Sequence, residues 1–255
     1  MQAEIEQALK SLGGRYACVV MCVDQGVLEE LVSLNSDMVF PAASLVKVPI
    51  LLEVTRQVAR GWLSWETRYT VPASARVPSA GVLADLSPDL RPTLHDLAHL
   101  MITISDNTAA NMLLDLVSME AVNATMQALG LNSTRLERRF MDFEARHAGR
   151  DNWTTAGDMA RLYSLFLADT LPGTQEMLAI LLRQNDYTIL PAYWGEEVPF
   201  AHKTGGLVGV MHDAGILYPP TAPDSPLIIV ALTAEQTDEP LTRLTLATVG
   251  RMLFA

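Results

Sequence analysis

Apolar residues recur along this chain with two different periods. In "MQAEIEQALKSL", Ile5, Ala8, Leu9 and Leu12 return every three or four positions, which predicts a helix with one apolar face. Gly13-Gly14 breaks that pattern, and the β-branched, apolar-rich runs "RYACVVMCV" and "VLEELVSL" follow as two strands joined by a turn at Asp24-Gln25-Gly26. From Ser44 to about Gln184 the period is helical, in "LVKVPILLEVTRQVAR", "TLHDLAHLMITI", "NTAANMLLDLV", "MEAVNATMQAL", "AGDMARLYSLFLA" and "QEMLAILLRQ". Strands return in "EVPFAHKT", "HDAGILY" and "SPLIIVAL", and "PLTRLTLATVGRMLFA" closes the chain as an amphipathic helix.

Sheet segments at both ends flanking a helical middle predict an α/β fold of the α+β kind: an antiparallel sheet flanked by the N- and C-terminal helices, with an inserted all-helical lobe. The expected division is a discontinuous sheet domain of residues 1–42 and 190–255 and an all-α domain of residues 43–189, with the active site in the cleft between them. Residues 62–93 and 137–153 are the longest stretches without clear periodicity, and long irregular loops often carry function.

Composition narrows the function classes. Hydrophobic residues make up 49% of the 255 and charged ones 18%, the make-up of a globular chain with a sizeable core. The formal net charge of -11 repels phosphate backbones and anionic lipid surfaces, so nucleic acid is not expected as a partner. No segment reaches the roughly 18 apolar residues of a membrane span. The first twelve residues carry Glu4 and Glu6 and lack a signal-peptide core; a periplasmic or extracellular destination would require a leader removed beforehand, and otherwise the expectation is cytoplasmic. Cys18 and Cys22, four apart on a strand, would be about 13 Å apart, too far for a disulfide.

Candidate chemistry begins in "PAASLVKVPI", where Ser44 and Lys47 stand three residues apart and so share a face if the segment is helical. Ile50, Leu51, Val54 and Val58 continue toward a core, so Lys47 sits where an unpartnered charge would be costly. Two further polar clusters interrupt apolar flanks. "ISDNTAAN" sets Ser105, Asp106 and Asn107 between two helices, with Asp106 or Asn107 as a natural helix cap, and "AHKTGGL" sets Lys203, Thr204, Gly205 and Gly206 at a strand end.

In that order, Ser-x-x-Lys, Ser-Asp-Asn and Lys-Thr-Gly resemble the signature of the penicillin-recognising serine hydrolases, above all the class A β-lactamases, over nearly the whole chain. The resemblance implies Ser44 as nucleophile, Lys47 as its activator, Ser105 as proton shuttle and Asn107 as a contact to the substrate amide. It implies Lys203 and Thr204 as the hold on a substrate carboxylate, the backbone N–H groups of Ser44 and Gly206 as an oxyanion hole, and no cofactor. Elementary chemistry agrees, since a serine needs a neighbouring base and a lysine beside a second lysine loses its proton more readily. The expected partners are small anionic molecules: β-lactams, or acyl peptides and esters bearing a carboxylate.

One stretch departs from the family pattern. "RLERRFMDFEARHAGRDNWTTAGDM" has familial ends, but the Trp-Glu-Pro core that supplies the deacylating glutamate is missing. Ungapped pairing from "TRLE" puts Phe140 in the glutamate's place and Glu144 where the family has an asparagine, so Glu144, ahead of Asp142, is the expected base, and slow deacylation is the expected consequence of its displacement. A surface carboxylate paired with Arg138, Arg146 or Arg150 is the plainer reading of Glu144. Pro49 would either bend the helix carrying Ser44 or delay its start. Three rival functions stand beside the β-lactamase: a DD-peptidase or esterase of the same fold with little β-lactamase activity; a non-catalytic binding module that keeps the fold, against which intact Ser44, Lys47 and Lys203 argue; and, more distantly, a zinc metallohydrolase using His95 and His99 of "HDLAH".

Overall fold

The computed structural model describes residues 1–24, 27–78, 80–195 and 197–254. The chain opens with α1 (Gln2–Lys10), then a hairpin of β1 (Arg15–Asp24) and β2 (Val27–Leu34). Gln25 and Gly26 of the expected turn lie outside the described residues; Asp24 and Val27 on either side are paired in the ladder. A short strand β3 (Phe40–Pro41) leads into the helical middle: α2 (Lys47–Ala59), α3 (Leu94–Thr103), α4 (Asn107–Val117), α5 (Met119–Ala128), α6 (Phe143–His147), α7 (Ala156–Leu167) and α8 (Thr174–Leu181). The strand β4 (Trp153–Thr154) interrupts this series and pairs with β3. The chain returns through β5 (Phe200–Leu207), β6 (Val210–Leu217) and β7 (Leu227–Ala234) to α9 (Glu239–Phe254); the predicted last residue of that helix, Ala255, lies outside the described residues.

The five long strands form one antiparallel sheet in the order β2-β1-β7-β6-β5, so the N-terminal hairpin is completed only by the last strand of the chain. Each sheet face has its own cluster of buried side chains, as alternation along a strand requires. On one face Cys18, Val20, Phe200 and Ile229 pack with Ile5 and Leu9 of α1 and Leu246 and Val249 of α9. On the other, Ala17, Val19, Ala201 and Val230 join the apolar stripes of α2, α3, α4 and α7 in a larger cluster, so the helical middle packs directly on the sheet. Cys18 and Cys22 are free, and burial pushes the Cys18 thiol up to about 12, an inert structural group. Among the described residues no helix is long and apolar enough to cross a membrane.

Candidate active site

Ser44 lies on a single 3-10 turn, Ala43–Val46, and the regular helix α2 starts only at Lys47. The sequence left two outcomes open at Pro49, and the late start is the one observed. Pro49 is the third residue of α2, where a backbone N–H has no intrahelical acceptor anyway, so proline is tolerated without a kink. A 3-10 turn has three residues per turn, so Ser44 and Lys47 still fall on the same side. The turn is fixed from outside: Ala42 N donates to Asn152 O at 2.7 Å, and His212 Nε2 sits 2.8 Å from Pro41 O. Strand β5 comes so close that a Cβ on Gly205 would lie 3.2 Å from both Ala43 Cβ and Ser44 N, which is why that position carries hydrogen alone.

Lys47 is fully buried, with its Nζ 2.7 Å from Ser105 O, 2.9 Å from Ser105 Oγ and 2.7 Å from Asn107 Oδ1. Burial first, then the positive charge of Lys203, drives its pKa well below the ordinary lysine value, against a weaker opposing pull from Asp106. A neutral amine has two N–H donors and one lone pair. Its two N–H groups can serve the Ser105 carbonyl and Asn107, which leaves the lone pair to take a proton from a neighbouring hydroxyl.

Ser105 is held at φ 58°, a conformation unusual for a residue with a side chain, by its neighbour Asp106. Asp106 caps α4, as expected for this segment, by accepting from Ala109 N at 2.9 Å, and its other oxygen accepts from Val82 N and Leu83 N, both at 2.7 Å. Gly81, at φ +107°, allows that approach: a Cβ there would fall 2.2 Å from the Asp106 carboxylate. One buried aspartate therefore fixes both the Ser105 turn and the loop that walls the site at Ala80.

On β5, Lys203 is fully buried and donates to Thr204 O at 2.9 Å; burial lowers its pKa to about 8 against the opposing charges of Asp213 and Asp186. Gly206 borders the same cavity as Ser44, while Thr204 lines an adjoining depression that shares Gly206 and Leu207. The three motifs are thus brought together, with Thr204 one step removed.

The long loop 137–153 closes the remaining wall. Asn152 Oδ1 accepts from Glu137 N and Arg138 N, and Asn111 clamps Phe140 by accepting from its N–H at 2.9 Å and donating to its carbonyl at 3.1 Å. So held, the Phe140 ring covers Lys47, its centroid 4.7 Å from Nζ. Asn111 is one helical turn beyond Asn107 on α4, so the "SDNTAAN" run already carried it, unread as a loop anchor. Glu144 does not come to the site, contrary to the expectation drawn from the loop. It is exposed on α6, while Asp142 is the N-cap of that helix through Ala145 N at 2.9 Å. Nor do Arg138 and Arg146 serve Glu144: both pair with Asp151, at 2.7 and 3.1 Å.

These walls enclose a cavity of about 250 Å³ lined by Ser44, Asn107, Phe140, Met141, Phe143 and Gly206 among others. Among the described residues that line it there is no carboxylate. His95 and His99, the zinc alternative, face a separate groove of about 910 Å³; their rings stack at 6.2 Å and His95 Nε2 lies 2.8 Å from Glu176. Among the described residues no group of three or more His, Cys, Asp or Glu side chains is arranged to hold a metal ion.

The geometry has close counterparts. The model of the β-lactamase enzyme family matches residues 1–255. A β-lactamase of Streptomyces lavendulae is 32% identical over 235 residues, 84% of this chain and 74% of its own. A β-lactamase structure from Sphaerobacter thermophilus superimposes with a TM-score of 0.89 at 30% identity, covering 99% of this chain and 95% of that one. A point mutant of PBP-A, solved as an acyl-enzyme complex with penicillin G, superimposes with a TM-score of 0.88 at 28% identity, covering 99% and 94%. With a serine turn, a buried lysine and the two accompanying motifs converging on one cavity, and a family match over its whole length, the chain belongs to the β-lactamase enzyme family and is a serine hydrolase.

Proposed function

We propose that Ser44 attacks the carbonyl of carboxylate-bearing β-lactams, or of related acyl amides and esters, and that the resulting acyl-enzyme is released slowly. The observation that carries this reading is the make-up of the cavity: Ser44, Asn107 and Gly206 line it, with Lys47 bonded to Asn107 and Ser105, while the loop contributes Phe140, Met141 and Phe143 beside Arg138 and Asn152, and no carboxylate among the described residues.

Lys47, biased toward the neutral amine, takes the Ser44 proton as the C–O bond forms. Ser105 Oγ, 2.9 Å from Lys47 Nζ, passes a proton on to the departing amide nitrogen. The N–H groups of Ser44 and Gly206 receive the developing oxyanion, and the charged form of Lys203 draws in the substrate carboxylate. The PBP-A mutant trapped with penicillin G supports an acyl-enzyme route in this fold.

Hydrolysis of the ester needs a base for the attacking water, and a positioned base is worth about 10² to 10⁴-fold. The lack of a carboxylate on the cavity wall, among its described residues, favours a long-lived acyl-enzyme. It also favours the DD-peptidase or esterase alternative, in which acyl transfer rather than β-lactam hydrolysis is the working reaction. Stopped-flow mixing with a chromogenic β-lactam tests this. A burst near one equivalent followed by a slow steady rate is expected, and rapid turnover without a burst would overturn it.

A further inference from the structure

Behind β5 lies a polar pair that the acylation scheme leaves unused. Alternation along the strand sets Ala201, Lys203 and Gly205 on the face toward the helices and Phe200, His202 and Thr204 on the opposite face. Asp213 stands across from Thr204 in the β5–β6 ladder and so shares the face of His202. His202 Nδ1 and Asp213 Oδ1 are 2.7 Å apart, Leu190 N donates to Asp213 Oδ2 at 3.2 Å, and both side chains are fully buried. The imidazole is stacked on Phe200 at 4.2 Å, and Gly215, its ladder partner, leaves it room: a Cβ there would lie 2.4 Å from His202 Cβ.

Among the described residues, His202 Nε2 is buried without a hydrogen-bond partner. An imidazolium would therefore bury an unserved N–H. A ring protonated only on Nδ1 donates to Asp213 and leaves just a lone pair unserved, the cheaper arrangement. Burial raises the Asp213 carboxyl, and the His202 and Leu190 hydrogen bonds oppose that rise; with the carboxylate ionised, the pair carries a single negative charge directly behind the strand that holds Lys203.

We infer that the His202–Asp213 pair is a positioning element whose buried negative charge keeps the proton on Lys203 and leaves Lys47 as the neutral amine. The inference rests on the roles given to the two lysines in the proposed function. Two buried ammonium groups repel each other, and Lys203 is a cause of the depressed Lys47 value. The surroundings decide which of them is charged. Lys203 is favoured by Asp213 from β6 and Asp186 from the segment after α8. Tyr163 of α7 is held neutral by burial and donates to Ala214 O, and Glu176 of α8 is engaged by His95 at the far groove. Among the described residues Lys47 has one such carboxylate, Asp106, whose oxygens already serve three backbone N–H groups.

Asp213→Asn removes the charge and keeps the shape. In lysine-labelled protein followed by NMR, the Lys203 side chain should titrate about one pH unit or more lower in the variant than in the wild type. The alkaline limb of penicillin acylation should move down with it, raising KM for carboxylated substrates above the limb, while acylation by a neutral ester changes little. His202→Asn, made alone, keeps Asp213 and offers it a side-chain N–H in place of Nδ1–H, so it should retain the wild-type limb. An unmoved Lys203 titration in folded Asp213→Asn would overturn the inference. Should that variant not fold, the wild-type Asp213 carboxyl carbon decides: ionised at about pH 7 it supports the inference, protonated there it overturns it. If penicillin does not label wild-type Ser44 at all, the proposed function fails, and the NMR titration still decides the charge assignment.

Discussion

The two walls of the Ser44 cavity are built on opposite principles. On one side α2, α4 and β5 bury Lys47, Asp106, Asn107 and Lys203 in a network of short polar contacts. On the other, the loop 137–153 is held by Asn111 of α4 and by its own Asn152 and Asp151, and it brings Phe140, Met141 and Phe143 to the cavity beside Arg138 and Asn152. On the proposed mechanism, the difference teaches that forming the acyl-enzyme and removing it fall to different parts of the chain. One is fixed in the packed interior and the other is left to a loop, so the two can change independently.

Breaking the polar wall should have the largest effect. Ser44→Ala is expected to abolish the mass addition that penicillin produces on the wild type, and equal labelling of both proteins would remove Ser44 from its role. Next comes a change on the apolar wall that gives it what it lacks. Phe140→Glu puts a carboxylate beside Lys47, where the ring now lies, and should shorten the acyl-enzyme lifetime by about 10² to 10⁴-fold while its charge, by favouring the Lys47 ammonium, lowers the burst rate, both followed by mass spectrometry of the acylated protein.

A pH profile separates the walls without any mutation. Lys203 has a value lowered to about 8, so its ammonium is lost as pH rises through that point. Acylation by carboxylated penicillins at low concentration should then fall about tenfold per pH unit above it, while a neutral ester keeps its rate. A bound carboxylate stabilises the ammonium, so the limb should lie higher at saturating substrate. Smaller still is Asp142→Ala, which removes the α6 cap and should cost about 1 kcal/mol of stability in a denaturant titration. Glu144→Ala is the control: its side chain is exposed, and the acyl-enzyme lifetime should not move.

Periodicity made the five long strands and the principal helices legible, because buried faces repeat at fixed intervals, and the motifs singled out Ser44, Lys47, Ser105, Asn107 and Lys203 as candidates. What stayed hidden was decided by tertiary contact. Whether α2 began before or after Ser44 depended on the first-turn tolerance for Pro49 together with anchors from Asn152 and His212, distant in sequence. The base was sought among carboxylates because acid–base chemistry needs them, yet the residue in register, Phe140, was the one delivered to the cavity. Asp213 gave no motif at all; its meaning depends on a ladder partner and on a ring nitrogen left unserved.

The strand order has a consequence for synthesis of the chain. The hairpin β1–β2 emerges early, but the other edge of β1 is covered only by β7, about 200 residues later. At translation rates of about 5 to 20 residues per second, that edge, lined by Val19, Val20 and Met21, waits roughly 10 to 40 seconds for its neighbour. Throughout that interval the nascent chain displays an unpaired apolar strand edge, a template for pairing with other chains. Yield of native protein should therefore respond to elongation rate and to chaperone supply more than the stability of the finished sheet would suggest.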